Sequence, residues 1–132
     1  MKTYTLKDKP KLKRKLDLLV SARIRERDKG KPCIDLCGKQ GTKQAGHFRR
    51  RECMQTRWHP WNVNGQNEYC NNWDNDTFRH AKGIDKKWGH GMADYLEHES
   101  RRIKNWTIPE LLQLIEACKT YEAYEKKYFE LQ

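Results

Sequence analysis

The sequence predicts an α+β fold in which helices at both ends of the chain enclose a short, irregular centre. Apolar residues recur at helical spacing near each end. Residues 33–73 are instead dense in Cys, Gly, His, Asn and Trp and show no helical period, which favours short strands and loops. With 132 residues there is room for one domain and one modest core. We divide this single domain, 1–132, into a basic N-terminal helix (1–30), a core (31–90) and C-terminal helices (91–132).

The N-terminal helix is predicted from about Asp8 to Asp28. Lys and Arg cover the face opposite its apolar residues, and the Lys29–Pro32 segment ends it. The apolar positions at helical spacing are Leu12, Leu16, Leu19, Val20 and Ile24.

Three further helices are predicted in the second half of the chain. Two extend from about Asn75 to Lys87 and from Met92 to Lys104. The last begins at Thr107, which forms a capping box with Glu110. One face of this last helix carries Leu111, Leu114, Ile115, Cys118 and Tyr121. The sequence leaves open whether the terminal Tyr and Phe residues pack on the domain or on a partner subunit, so a homodimer stays open.

The charge distribution indicates a polyanion-binding face. The net charge is +10, but residues 1–60 carry 18 Lys/Arg against 6 Asp/Glu, whereas residues 61–132 carry 10 against 12. A basic half beside a near-neutral half is typical of nucleic-acid binding. The alternative is a merely solvated, lysine-rich surface.

Composition also limits the compartment and the use of the cysteines. No apolar run reaches the roughly 18–20 residues of a membrane helix, and the first residues are too charged for a signal peptide. We therefore expect a soluble cytoplasmic protein with no membrane partner. Five cysteines, an odd number, argue against a disulfide framework and favour metal ligation for the close pair Cys33 and Cys37.

The central block contains residue types that suit phosphodiester hydrolysis. That reaction needs a base to activate water and a divalent cation to stabilise charge on the phosphate. An imidazole such as His47 suits the first task and an Asn oxygen suits Mg²⁺. Each residue alone is a weak signal, because His and Asn are ordinary in loops and Cys-x₃-Cys is looser than a zinc knuckle. The order Cys, Cys, His, Asn, Cys-Asn within about 40 residues is the stronger observation.

From about Leu16 to the C-terminus the chain resembles the NinG (Rap) family of lambdoid phages. The landmarks occur in order along the chain. They are Ile24–Asp28, Pro32–Ile34, Cys37-Gly38, Ala45–Arg49, Arg57-Trp58, Asn62-Val63, Gln66, Cys70-Asn71, Phe78-Arg79 and Trp106-Thr107. The resemblance implies an HNH-type endonuclease, a hydrolase with a ββα-metal core at 31–90, acting on Holliday junctions and D-loops in the host cytoplasm.

The resemblance also implies roles for three residues. His47 takes the position of the general base, and Asn62 the position of the Asn that fixes the loop presenting that base. Asn71 takes the position of the metal ligand, for Mg²⁺ or Mn²⁺. Gly46 stands where some HNH enzymes carry a metal-binding Asp, as in nucleases with a Gly-His pair.

The family's structural zinc site is incomplete in this sequence. Its two Cys-x₂-Cys pairs have become Cys33-x₃-Cys37 and Asn67-x₂-Cys70, so one of four ligands is lost. Histidines that the family tends to carry are replaced by Gln44 and Asn64.

Two outcomes for the zinc stay open. Cys53 or His59 supplies a fourth ligand, or the metal is absent and packing of Trp58, Trp61 and Trp73 holds the fold. We expect no tightly bound Zn²⁺.

Branched DNA is the expected partner, recognised by shape because nothing resembles a base-reading device. The arginine run after His47 and cations of the first helix are the candidate phosphate contacts, with solubility as the alternative explanation. These candidates are Arg49, Arg50, Arg51, Arg23, Arg27 and Lys15.

Two other functions compete with the nuclease. One is a non-catalytic DNA-binding recombination accessory protein that has lost its cleavage chemistry together with its zinc. The other, a zinc-ribbon regulator, is disfavoured by the incomplete ligand set.

Overall fold

The computed structural model describes residues 2–41 and 43–132, which form five α-helices and one two-stranded antiparallel sheet. In chain order these are α1 (Lys9–Arg27), β1 (Lys43–His47), β2 (Val63–Asn67), α2 (Thr77–Trp88), α3 (Met92–Ser100), α4 (Ile108–Ala117) and α5 (Tyr121–Glu130). A 3₁₀ turn (Leu6–Asp8) precedes α1, and a π-helical turn (Cys70–Asp74) lies between β2 and α2. The predicted α+β class is confirmed.

The first helix is the centre of the main core. Leu12, Leu16, Val20 and Ile24 are buried at the predicted helical spacing. Through this apolar face α1 packs against the sheet, α4 and α5. Because one helix contacts both the hairpin and the C-terminal helices, it fixes the position of the central segment relative to the rest of the chain.

The C-terminus forms two helices, which corrects the prediction of a single one. Thr107 and Glu110 form the expected capping box. The chain then turns after α4, and the Thr120 hydroxyl accepts from the Ala123 amide (3.1 Å) to cap α5. The Thr120 cap therefore starts a new helix. The apolar residues keep helical spacing across the turn, which is why their pattern predicted one continuous helix.

The terminal tyrosines pack on their own domain. Tyr124 and Tyr128 are fully buried. Tyr124 donates its hydroxyl hydrogen bond to the Trp58 carbonyl, and Tyr128 donates to the Gln55 carbonyl (2.8 Å). Of the two alternatives that the sequence left open, packing on the domain itself is therefore the one that holds for both tyrosines.

The hairpin is tied to α1 and α2 through Asp28. Lys43 pairs with Asn67, and His47 with Val63. The Asp28 carboxylate accepts from the Gly65 amide (2.7 Å) and from Lys87 Nζ (2.8 Å). Burial opposes ionisation of Asp28, but hydrogen bonds from Arg27, Lys87 and Gly65 outweigh it and hold its pKa well below the usual value.

A smaller cluster beneath α2 and α3 contains Ile34, Ile84, Ala93 and Leu96. Of the three tryptophans expected to support the fold, Trp58 is buried in the main core and Trp61 stacks on Trp88 with ring centres 5.9 Å apart. Trp73 is 76% exposed, so the expectation is wrong for that residue. Within the described ranges, every helix is too short or too polar to span a bilayer.

Candidate active site and metal centre

A polar cleft of about 370 Å³ lies where the end of β1 and the hairpin meet the start of α2. Its lining includes His47, Arg50, Gln66, Asn71 and His80. The structure thus brings together His47 and Asn71, two residues predicted from the sequence to act in one site. The third, Asn62, lies outside the lining and under the connection between the strands.

The hydrogen bonding of His47 fixes its tautomer. Its Nε2 lies 2.9 Å from the Arg57 carbonyl oxygen. Because a carbonyl only accepts hydrogen bonds, the ring proton sits on Nε2 and the lone pair on Nδ1. A neutral imidazole with an available lone pair can accept a proton from water.

The surroundings of His47 keep it neutral. Burial, followed by the positive charge of Arg51, lowers the pKa of His47 to about 4. The hydrogen bond to the Arg57 carbonyl and the charge of Asp17 act in the opposite direction but are outweighed. The imidazole is therefore an unprotonated base at neutral pH.

The Arg57 carbonyl is itself held in place by α1. The Arg57 side chain donates two hydrogen bonds to the Asp17 carboxylate, at 3.0 and 2.6 Å, and Trp58 Nε1 donates a third at 2.9 Å. Burial would raise the pKa of Asp17, but these bonds and the nearby arginine charges outweigh it and lower that pKa. An ionised carboxylate on the first helix therefore anchors the residue that orients His47.

Asn62 clamps the connection between the two strands. Its side chain is completely buried. Oδ1 accepts from the Arg49 amide (2.8 Å), and Nδ2 donates to the carbonyls of Arg49 and Thr56 (both 3.1 Å). These bonds join the two ends of the segment that contains Arg57. This geometry fits the loop-fixing role that the resemblance implied for Asn62.

Asn71 enters the cleft from the π-helical turn. Its Nδ2 donates to Gln44 Oε1 (2.7 Å), which leaves Oδ1 without a hydrogen-bond partner among the described residues. The Asp76 carboxylate, which caps α2 through the Arg79 amide (3.1 Å), lines the same cleft. Amide and carboxylate oxygens are the ligand types that Mg²⁺ prefers, so these residues fit a hard divalent cation.

The absence of a side chain at Gly46 leaves room for the side chain of Gln66 on the neighbouring strand. A Cβ at position 46 would lie 1.9 Å from Gln66 Oε1. The carboxylate that some HNH enzymes carry at this position therefore has no room here unless Gln66 moves.

Sequence reasoning missed Asp35, Gln66 and His80 as parts of the site. Gln66 Nε2 donates to Asp35 Oδ2 (2.9 Å), and His80 Nδ1 lies 3.7 Å from Asp35 Oδ1. Burial raises the pKa of Asp35 and lowers that of His80 to about 4. Asp35 Oδ1 and His80 Nε2 are buried without hydrogen-bond partners in the described chain, which is unusual outside binding sites. These residues are isolated in the sequence, and no spacing signal connects them.

Three cysteines converge next to the cleft. The Sγ atoms of Cys33, Cys37 and Cys70 all lie within 4.8 Å of one another. Backbone amides of Asn67 and Lys39 donate to the sulfurs of Cys33 (3.2 Å) and Cys37 (3.4 Å). Three convergent sulfurs with amide hydrogen bonds fit a structural metal such as Zn²⁺. The cluster thus favours the alternative in which a metal is retained over the expectation of none.

Neither candidate for a fourth zinc ligand joins this cluster. His59 accepts from the Trp61 amide at Nδ1 (3.1 Å) and packs among aromatic rings. Cys53 lies in the connection between the strands, and the metal-compatible group among the described residues contains only Cys33, Cys37 and Cys70. Asn67 Nδ2 donates to the Gln40 carbonyl (3.1 Å), and Asn67 Oδ1 accepts from the Tyr69 amide (2.9 Å), so its side chain does not replace the lost ligand.

Two of the arginines predicted to contact DNA have hydrogen-bond partners within the fold. The Arg27 side chain is 7% exposed and donates to the carboxylate of Asp28 and the carbonyl of Pro60 (2.7 Å). Arg23 donates to the Cys118 carbonyl (3.2 Å) at the end of α4. Both guanidinium groups thus have partners inside the fold, and their contact with phosphate stays a prediction.

The other predicted cations lie in more accessible places. Arg50 and Arg51 are exposed, and Arg50 lines the cleft. Arg49 is half-buried, with its backbone bound to Asn62. Lys15 is exposed on α1.

Comparison with known proteins identifies one family. The family described as "Bacteriophage Lambda NinG protein" matches residues 1–127. No curated protein and no solved structure matches the chain.

Proposed function

Because the chain belongs to the NinG family of phage recombination-related proteins, we propose that it is a metal-dependent DNA endonuclease that hydrolyses phosphodiester bonds in branched recombination intermediates. One observation carries the proposal. No described residue hydrogen-bonds His47 Nδ1 or Asn71 Oδ1, and both side chains line the same cleft. In this proposal the hairpin and the helical segment after it are a ββα-metal centre of the HNH type.

The proposed chemistry assigns one task to each residue. His47 Nδ1 takes a proton from the attacking water, the new phosphorus–oxygen bond forms, and the bond to the leaving oxygen breaks. Asn62 and Arg57 hold the imidazole in register through the bonds described above. Asn71, with Asp76 beside it, would hold Mg²⁺ or Mn²⁺, which stabilises charge on the phosphate and leaving oxygen when bound.

The cysteine cluster supports the same site indirectly. Cys70 is fully buried and directly precedes Asn71. A Zn²⁺ ion bound by Cys33, Cys37 and Cys70 would therefore fix the turn from which Asn71 enters the cleft. Arg50 in the cleft and Arg51 beside it would contact phosphates next to the scissile bond.

The test is nicking of a synthetic four-way junction by the pure protein with Mg²⁺. His47→Ala should reduce the rate by about 10²–10⁴-fold, because a general base contributes that much in the chemical step. Junction affinity should stay within a few-fold. The matched control is His98→Ala, which removes an exposed histidine on α3 and should leave the rate unchanged.

Two results would contradict the proposal. Undiminished cleavage by His47→Ala would remove His47 from the mechanism. Tight junction binding by a parent protein that never nicks would instead identify a non-catalytic recombination accessory protein.

A further inference from the structure

The segment beside the cleft exposes three aromatic side chains within ten residues. Tyr69 is 50% exposed, Trp73 76% and Phe78 68%. Single exposed apolar residues are ordinary, but three large exposed aromatics in the segment that also supplies Asn71, Asn75 and Asp76 to the cleft make this segment a candidate binding surface.

An unusual backbone keeps Trp73 in solvent. The Cys70–Asp74 turn is π-helical, and Asn75 follows it in the left-handed region with φ 47°. The Asn75 amide donates to the Cys70 carbonyl (2.9 Å), which closes the turn. In consequence Cys70 is buried and Asn71 lines the cleft, while Trp73 stays exposed. Single π-helical turns are rare and concentrate at functional sites.

We propose that Trp73 and Phe78 form a stacking surface for unpaired nucleobases of branched or single-stranded DNA. The inference rests on the proposed function, because it assigns a ligand class to the edge of the same cleft. Both residues are close in sequence to residues that line the cleft. Trp73 follows Asn71 by two positions, and Phe78 directly follows Thr77. A base stacked on them would bring its own phosphate towards the cleft.

Neighbouring charges and polarity favour nucleobases over an apolar protein partner. Lys82 Nζ lies 4.4 Å from the centre of the Phe78 ring, and Lys39 Nζ lies 3.7 Å from that of Tyr69. Aromatic faces combined with cations are typical of proteins that bind single strands. The exposed side chains next to Trp73 are the amide of Asn72 and the carboxyl group of Asp74, so the surface lacks the continuous apolar core of a protein interface.

Only unpaired bases offer a free face to these rings. In a continuous duplex the bases stack on each other, whereas a fork or a branch point presents bases whose faces are accessible. The stacking surface therefore predicts a preference for DNA structure without a preference for sequence.

The test compares Trp73→Ala and Phe78→Ala with the parent in fluorescence anisotropy, with Ca²⁺ replacing Mg²⁺. The probes are a fork with unpaired arms and a continuous duplex of equal length. Each variant should lose about 5- to 150-fold in affinity for the fork, the effect of one stacked base, and less than about 2-fold for the duplex. The control is Ile103→Ala, which removes a fully exposed apolar residue between α3 and α4 and should change nothing.

Intrinsic fluorescence gives a second readout that does not depend on affinity differences. Trp73 is the most exposed tryptophan of the described chain, since the other four are buried or half-buried. A single-stranded oligothymidine should quench the parent, and Trp73→Phe should lose most of that quenching.

Each outcome separates the two proposals. Equal losses on fork and duplex, or no loss on either, would overturn the stacking surface while leaving the nuclease intact. Fork binding that depends on Trp73 in a protein that never nicks would overturn only the nuclease. A parent that binds no DNA would overturn both.

Discussion

His59 makes the protein sensitive to mild acid. The imidazole is 3% exposed and packs against the rings of Trp61, Tyr128 and Phe129 at 5.1 to 5.4 Å between centres. Its Nδ1 accepts from the Trp61 amide, and its Nε2 has no partner among the described residues. Burial alone lowers the pKa of His59 to about 4. The folded state therefore excludes a proton that the unfolded chain binds readily.

The size of the effect follows from proton linkage. An unfolded histidine has a pKa of about 6.5, so stability from neutral His59 is complete above that pH and is lost as the pH falls towards 4. Between pH 7 and pH 5 one such group lowers the free energy of unfolding by about 2 kcal/mol. The buried His47 and His80, whose pKa values are also lowered to about 4, bring the loss to about 6 kcal/mol. Small domains have only about 5–15 kcal/mol in total.

The assay is urea denaturation at pH 7 and pH 5 for the parent and for His59→Phe. Phenylalanine keeps an aromatic ring and removes the titrating group, so the variant should lose about 2 kcal/mol less than the parent over this interval. The unsatisfied Trp61 amide costs the same at both pH values and cancels. His90→Phe, at an exposed histidine, is the matched control and should behave like the parent. An identical pH dependence for His59→Phe and the parent would refute the reasoning.

Two further predictions concern the loop clamp and the cysteine cluster. Asn62→Ala should lower the free energy of unfolding by about 2–4 kcal/mol in denaturant titrations, because it removes three hydrogen bonds and leaves the amide and the carbonyl of Arg49 without their partner; a change below about 1 kcal/mol would mean that the connection keeps its structure without Asn62. Cobalt(II) should bind the metal-free protein with intense thiolate-to-metal absorption that Cys37→Ser abolishes and Cys53→Ser preserves; equal spectra for the two variants would place the metal elsewhere.

Elements with strong local signals could be predicted from the sequence. The apolar spacing of Leu12, Leu16, Val20 and Ile24 predicted α1, and the pairing of Thr107 with Glu110 predicted the start of α4. The turn between α4 and α5 was missed because the apolar stripe continues across it. The single hydroxyl of Thr120, as a helix cap, is a weaker signal than five apolar positions at helical spacing.

The site was predictable only where a motif connected its residues. Family resemblance associated His47 with Asn71, and the structure brings both to one cleft. Asp35 and His80 lie 45 positions apart and meet only because α2 packs against the segment around Ile34. No local property of either residue reveals that contact, since it exists only after the chain has folded.

Some of the basic residues in the first half of the chain hold the candidate site together, a role that composition does not reveal. Arg27 donates to the Val63 carbonyl of β2, and Arg57 joins Asp17 on α1 to the carbonyl that orients His47. A guanidinium with its hydrogen bonds satisfied inside the fold cannot release counterions from a DNA phosphate. Part of the positive charge therefore positions the proposed base, and the salt dependence of DNA binding should reflect only accessible cations such as Arg50 and Arg51. The same helix that suggested a DNA-binding face is, through Asp17 and Arg27, the support on which the candidate active site is built.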